Sequence, residues 1–341
     1  MNQMLNAQNS DTTEQIRAAS GEEPQGTPSD VACPIRSKIG GQALIEGVMM
    51  RGIGTAAMAV RLPNGTIDVE QWALNPSAFM RVITKIPVVR GIFSFISSMI
   101  EGYKCLSKSA EKAYGDDEGE ELSKFEQWLE RKFGDHLMGI ITGIGTVLGV
   151  VLAIGLFIFI PTLLVKGLDW LVPLGGWKGL IEGAIKMAIL IGYLAAVSRM
   201  KEIKRVFEYH GAEHKTIFCY EKGLPLTVEN VRVQSRFHPR CGTSFLILML
   251  IVSVLVFSVV TWDSVVIRSL LKLAMLPLVM GIGYELLKLC GRYDNWLTKI
   301  IAWPGLRLQR LTTREPDDSQ IEVAIASLEP VIPQNRADDR W

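Results

Sequence analysis

Three of the chain's four histidines, His210, His214 and His238, fall within residues 210–241, between two strongly apolar runs. His210 and His214 are four residues apart, so on a helix their imidazoles would share one face and could bind one metal ion. Glu213 stands beside them in the order His-x-x-Glu-His. This is the inverzincin order, in which the glutamate acts as general base toward the water that the metal polarises. This stretch is where the sequence predicts chemistry.

A third ligand would come from another part of the chain. His238 and Cys241 follow after a turn-rich segment, and Glu221 and Glu46 are further candidates. If the histidine pair, His238 and Cys241 all bind, the tetrahedral shell is closed and the metal is structural. Three ligands with one open position would suit hydrolysis instead. A cysteine ligand favours zinc in either case, because sulfur is a soft donor.

The same residues also have an interpretation without a metal. A histidine pair at helical spacing often hydrogen-bonds to backbone or acidic groups, and Gly211 lowers the helix propensity that the motif requires. The order of Glu213 and His214, together with His238 and Cys241 nearby, nevertheless favours a metal site.

The amino-acid composition predicts an integral membrane protein. It has 341 residues, of which 48% are hydrophobic, and a mean hydropathy of +0.24, which is too apolar for an ordinary soluble domain of this size. A net charge of +1 indicates no polyanionic partner, so no nucleic acid is expected. The five cysteines are an odd number without paired spacing, which predicts reduced thiols rather than a disulfide framework.

Four segments predict transmembrane helices. Residues 137–165 and 242–262 carry no charge over lengths that suit a bilayer, and residues 179–198 and 269–290 are weaker candidates. The weaker pair contains Glu182, Lys186, Lys272, Glu285 and Lys288. These residues lie near the segment ends, so we expect their side chains to reach the bilayer interfaces.

Basic residues orient the predicted bundle. The connection 199–244 is rich in Lys and Arg, whereas the connections 162–178 and 263–268 carry few. Because basic loops remain in the cytoplasm, the histidine-containing loop is predicted to be cytoplasmic, and basic residues flanking the bundle place both termini on that side. The expected location is the cell membrane, with several spans and the lipid bilayer as partner.

The chain divides into five predicted regions. Residues 1–34 form a disordered tail, 35–76 a small β element, 77–136 amphipathic interfacial helices and an acidic linker, 137–311 the four-span bundle, and 312–341 a short helix and tail. The predicted fold class is therefore a mainly α membrane protein with about four transmembrane helices, a small N-terminal β element and cytoplasmic interfacial helices.

The β element and the interfacial region have specific local signals. Asn64-Gly65 predicts a hairpin turn between strands at 57–62 and 66–72. Residues 40–52 indicate a buried strand whose Glu46 and Arg51 are paired or exposed, or alternatively take part in a site. In residues 79–105, Pro87 predicts a break in an amphipathic helix, although a re-entrant segment is also compatible with the pattern.

A capping-box pattern predicts a short helix in the C-terminal region. Ser319 and Glu322 have the spacing of a capping box and predict that a short helix begins at residue 320 and ends at residue 328.

Three motifs, in order, resemble the YqhQ-like family of bacterial membrane proteins, a domain of unknown function. They are GGQALIEGVMMRG at 40–52, YHGAEHK at 209–215 and RFHPRCGTS at 236–244. Members are described as predicted metal-dependent enzymes, so the resemblance implies a metal at the histidine motifs. It implies no particular substrate or reaction.

The sequence thus predicts a metal-dependent enzyme, with zinc as the expected metal, that hydrolyses a peptide or lipid bond at the cytoplasmic face. His210 and His214 would be ligands, Glu213 the general base, and His238 or Cys241 the residue that completes the shell. The competing hypothesis is a non-enzymatic membrane assembly or regulatory factor whose metal ties the loop to the β element. A transporter ranks third, because the charged residues lie near the ends of the spans.

Overall fold

The computed structural model describes residues 35–75, 77–114, 137–258, 264–293 and 295–339. The predicted N-terminal tail and the acidic linker, residues 1–34 and 115–121, lie outside the described residues.

The β element is a four-stranded antiparallel sheet in which each strand pairs with the next. The strands are β1 (Gly40–Leu44), β2 (Gly47–Arg51), β3 (Thr55–Arg61) and β4 (Ile67–Ala73). The hairpin predicted at Asn64-Gly65 joins β3 to β4, and Gly65 has the positive φ, 85°, that such a turn needs. The single strand expected at 40–52 is a hairpin instead, because the chain reverses at Glu46, which has a φ of 50°.

Helices make up most of the remaining described chain. They are α1 (Ala78–Ile83), α2 (Val89–Tyr114), α3 (Leu137–Ile154), α4 (Ile160–Leu171), α5 (Lys178–Val197), α6 (Lys201–Glu221), α7 (Val228–Arg232), α8 (Gly242–Phe257), α9 (Val265–Arg292), α10 (Trp296–Thr312) and α11 (Asp318–Leu328). A π-helical turn, Gly155–Phe159, joins α3 to α4 without interruption. The break predicted at Pro87 separates α1 from α2.

The sheet is covered by helices on both faces, since side chains alternate between faces along each strand. Val48 and Met50 of β2 belong to a buried cluster with residues of α6 and α11. Met49, between them, belongs to a second cluster with Cys105 of α2. This arrangement places α6, which carries the histidine pair, directly against the sheet.

Three helical segments are long and apolar enough to cross a membrane: Gly143–Leu171, Gly175–Val197 and Val265–Arg292. A shorter apolar helix, α8, has 16 residues. The predicted mainly helical fold, with candidate membrane-spanning helices and a small N-terminal β sheet, is confirmed.

Three of the charged residues in the weaker predicted spans are buried by neighbouring helices. Glu182, Lys186 and Lys272 are 3%, 4% and 0% exposed and lie inside the bundle. Both lysines pair with Glu182, which offsets the cost of placing each charge in an apolar environment. Glu285 is partly exposed and pairs with Arg90 of α2.

The C-terminal helix was predicted with the correct end but the wrong cap. Asp317 is the N-cap of α11, and its side chain accepts a hydrogen bond from the Gln320 N–H, 2.9 Å away. Gln320 Oε1 accepts the N–H of Asp317 in return, 3.0 Å away. Ser319 instead donates to the Asp317 carboxylate, so it does not cap the helix.

Candidate metal centre

Helix α6 presents His210, Glu213 and His214 from two successive turns. The helix continues through Gly211 without a break. A Cβ atom on Gly211 would overlap the carbonyl oxygen of Arg314, in the segment that follows α10. The glycine that lowers helix propensity therefore permits the close approach of a second chain segment to the histidine pair.

His210, His214 and Cys241 come together, and one ligand atom of each lies within 4.8 Å of the other two. His210 Nε2 is 3.1 Å from Cys241 Sγ, and the two imidazole centroids are 4.4 Å apart. Cys241 is the N-cap of α8, so it reaches α6 from the start of an apolar helix. Among the described residues, this is the group of His, Cys, Asp and Glu side chains whose geometry suits a metal ion.

Backbone carbonyls fix the orientation of both rings. His210 Nδ1 is 2.8 Å from the Thr312 carbonyl oxygen, and His214 Nδ1 is 2.6 Å from that of Arg236. Because a carbonyl only accepts, each Nδ1 carries the hydrogen in the neutral ring and each Nε2 keeps its lone pair. Histidine ligands of metals commonly donate their second N–H in this way. His214 Nε2 is buried and has no hydrogen-bond partner among the described residues, which leaves its lone pair available to a ligand.

Electrostatics favour the ligand form of the cysteine. Burial by itself would raise the pKa of the Cys241 thiol, but the adjacent His210 and His214 imidazoles hold that pKa well below its ordinary value. Burial likewise opposes protonation of His210, but Cys241 raises the pKa of this imidazole. The thiolate is the form of cysteine that binds metals. Because the His210 pKa is raised to about 9, His210 and Cys241 form an imidazolium–thiolate pair at pH 7, and a metal ion would bind there with release of the His210 proton.

Glu213 is 5% exposed and lies against β1. A Cβ atom on Gly41 would come within 2.8 Å of the Glu213 carboxyl carbon, and the Gly41 N–H donates to the carboxylate. The second carboxylate oxygen, Oε2, is buried without a partner in the described part of the chain. Burial raises the pKa of the Glu213 carboxyl above its usual value, and the nearby His210 and His214 imidazoles oppose that rise.

His238 lies outside the three-ligand group. Its Nε2 is 3.6 Å from Glu221 Oε2 and 3.3 Å from Arg240 Nη2. Glu221 in turn pairs with Arg240 and accepts the Ser37 N–H at 2.7 Å. Burial lowers the pKa of His238 to about 4, so the ring is neutral at pH 7. The structure therefore joins Cys241, but neither His238 nor Glu221, to the histidine pair.

Glu46 and Arg51 are both paired elsewhere. Glu46 pairs with Arg205 on the first turns of α6 and accepts a hydrogen bond from the Tyr209 hydroxyl, 3.1 Å away. Arg51 pairs with Glu101 of α2. Glu46 thus anchors the β1–β2 turn to the helix that carries the histidines.

Sequence reasoning missed three contributors to this centre. The carbonyls of Thr312 and Arg236 orient the rings, and backbone carbonyls have no sequence signal. Gly41 has no side chain, so the Glu213 carboxylate can pack directly against β1. The Gly40-Gly41 pair at the start of the first motif is the sequence signal that would have indicated this close contact between a strand and another side chain.

Comparison with known proteins places the chain in a family. A family model described as "Protein of unknown function (DUF1385)" matches residues 86–334, which include His210, Glu213, His214 and Cys241. The "Uncharacterized protein YqhQ" of Bacillus subtilis (strain 168) is 38% identical over 294 residues, which cover 86% of this chain and 92% of the relative. No solved structure matches. The chain therefore belongs to the YqhQ-like family of proteins of unknown function (DUF1385).

Proposed function

We propose that this protein is a zinc-dependent hydrolase that cleaves a peptide or lipid bond at the membrane surface. The observation that carries the proposal is the convergence of ligand atoms of His210, His214 and Cys241 within 4.8 Å, on rings already oriented by carbonyls. Two nitrogen donors and one sulfur donor suit zinc. Three ligands leave one tetrahedral position for the reacting group, since His238 is held by Glu221 and Arg240.

Each side chain then has a role. Zinc, when bound, would supply Lewis-acid polarisation of water and of the scissile carbonyl or phosphoryl oxygen. Glu213 accepts a proton from the attacking water and returns it to the leaving group, for which its raised pKa and available Oε2 are suited. Gly41 holds the other end of the carboxylate through its N–H. Thr312 and Arg236 keep the imidazoles in the tautomer that ligates.

One observation favours a second candidate, a non-enzymatic assembly or regulatory factor with a structural metal. His214 and Cys241 are 1% and 8% exposed, and the centre joins α6 to the start of α8 and to the end of α10. A metal there would fasten segments that are far apart in sequence, as structural zinc sites do.

Metal content tests the ligand set on which both candidates depend. We expect purified wild-type protein to contain about one zinc per chain, and His214→Ala and Cys241→Ala to lose it, because each removes one of three ligands. His238→Ala is the matched control and should retain zinc. Inductively coupled plasma mass spectrometry provides the measurement. Loss of zinc from His238→Ala as well would indicate a closed four-ligand shell and would favour the structural role.

We further propose that α8 is a fourth span and that the connection 199–244 is cytoplasmic, as its basic residues favour. Val233 in this connection is 79% exposed, and Val172, between α4 and α5, is 62% exposed. In intact cells, a membrane-impermeant maleimide should label Val172→Cys but label Val233→Cys only after permeabilisation. Wild type is the control, because Cys219 and Cys241 are buried. Labelling of Val233→Cys from outside would reverse the proposed orientation.

A further inference from the structure

We propose that the helical bundle contains a binding site for the phosphate group of an anionic lipid. Its centre is Glu182 on α5, which three cations contact. Lys186 Nζ is 2.9 Å from Glu182 Oε1, and Lys272 Nζ pairs with the same oxygen. Arg268 Nη2 is 3.4 Å from Glu182 Oε2. These residues surround one carboxylate, within segments that are apolar enough to cross a membrane.

The charges of this cluster do not balance within the described residues. Three cations contact one carboxylate, and both lysines are less than 5% exposed. Thr162 Oγ1 accepts a hydrogen bond from Lys272 Nζ, 2.9 Å away, but contributes no charge. A charged group inside a bilayer is costly unless it is paired. An anion from outside the chain would offset the excess positive charge.

A polar cavity adjoins the cluster and supplies room for such an anion. Its volume is about 190 Å³, and it is lined by Thr162, Val165, Lys166, Asp169, Lys178, Val265 and Arg268. Asp169 is occupied by Lys178, 2.7 Å away, and by the N–H of Leu174. The Nε–H of Arg268 is buried and has no acceptor in the described part of the chain. Guanidinium and ammonium groups around a cavity match the oxygens of a phosphate group.

A second, apolar cavity indicates that the phosphate belongs to a lipid. This cavity of about 330 Å³ lies among residues of the π-helical turn, α8 and α9, and Lys186 forms part of its wall. Lys186 contacts Glu182, and Arg268 lines the polar cavity, so the ion cluster contributes a side chain to each cavity. A lipid offers both a phosphate group that matches the polar cavity and acyl chains that match an apolar one. A free anion would leave the apolar cavity without a matching ligand.

The lipid site is separate from the metal centre. Glu182 precedes the end of α5 by fifteen residues, or about 22 Å of helix. The histidines lie beyond that end, on α6. The lipid proposal therefore does not depend on the proposed hydrolase activity, and zinc content should be unaffected by substitutions at the lipid site.

Lipid binding to the purified full chain in neutral detergent tests the proposal. We expect phosphatidylglycerol to raise the melting temperature in a saturable manner and phosphatidylcholine to do so much less. Lys178→Gln and Arg268→Gln should each bind phosphatidylglycerol at least ten-fold more weakly, because each removes a cation from the polar cavity. Arg199→Gln, an exposed substitution beyond the opposite end of α5, is the matched control and should bind like wild type.

Three results would overturn the proposal. They are equal binding of both lipids by wild type, unchanged binding by both cavity variants, and binding of inorganic phosphate as tight as that of phosphatidylglycerol, which would make the ligand a free anion. The melting temperature without lipid shows whether each variant is folded. If Arg268→Gln unfolds, Lys178→Gln decides the test, because its side chain is 40% exposed and its loss disturbs the bundle less.

Discussion

Replacing Glu213 with glutamine is expected to leave zinc bound and to abolish the cellular function of the protein. Glutamine preserves the shape of the side chain against Gly41 but cannot accept a proton from water. For a metal-assisted hydrolase, loss of the general base commonly lowers the rate by about 10²- to 10⁴-fold. Zinc content, protein abundance and complementation of a deletion strain can be measured together, without knowledge of the substrate.

Two further variants make this result interpretable. His214→Ala should lose the metal itself, and Glu202→Gln, an exposed substitution on the same helix, should behave like wild type. A structural metal predicts another pattern. His214→Ala should lower protein abundance, because a metal site that lacks one ligand no longer stabilises the loop, whereas Glu213→Gln should have almost no effect. A Glu213→Gln protein that complements fully would leave the hydrolase without its base and would favour the structural role.

The parts of this centre that follow from local periodicity were predictable from sequence. Residues four apart on a helix share a face whatever the tertiary structure, so the pairing of His210 with His214 needed only the helix. The third ligand was not predictable in this way. His238 and Cys241 are three residues apart, and the His238 ring centroid lies only 5.6 Å from that of His214. The choice between them depends on Glu221 and Arg240, which contact His238 Nε2.

The same distinction applies to the rest of the fold. The β3–β4 hairpin was predictable because Asn64-Gly65 encodes its turn locally. The β1–β2 turn was not, since Glu46 adopts a positive φ in a turn that an ion pair with Arg205, 159 residues away, holds against α6. The buried Glu182 cluster was missed for a related reason. Sequence position showed charges near the ends of spans, but only the ion pairs between α5 and α9 show that these charges face one another.

Gly211→Ala is expected to destabilise the protein strongly, although alanine normally favours a helix over glycine by about 1 kcal/mol. At this position the added Cβ would overlap the Arg314 carbonyl oxygen, and backbone cannot move aside as a flexible side chain can. Forcing extra volume into a packed contact costs about 1–3 kcal/mol, occasionally more. Thr312, two residues before Arg314 at the end of α10, supplies the carbonyl that orients His210, so zinc affinity should fall as well.

The matched control for this substitution is Gly192→Ala. Gly192 is also helical, in α5, and a Cβ there meets nothing within 4 Å, so this variant should be as stable as wild type or slightly more stable. Melting temperature and zinc content in detergent provide both measurements. If Gly211→Ala matched Gly192→Ala in both, the end of α10 and the Arg314 backbone that follows it would not approach α6 as closely as the structure shows. The Thr312 carbonyl would then no longer explain why the hydrogen of His210 lies on Nδ1 and leaves Nε2 free to bind a metal.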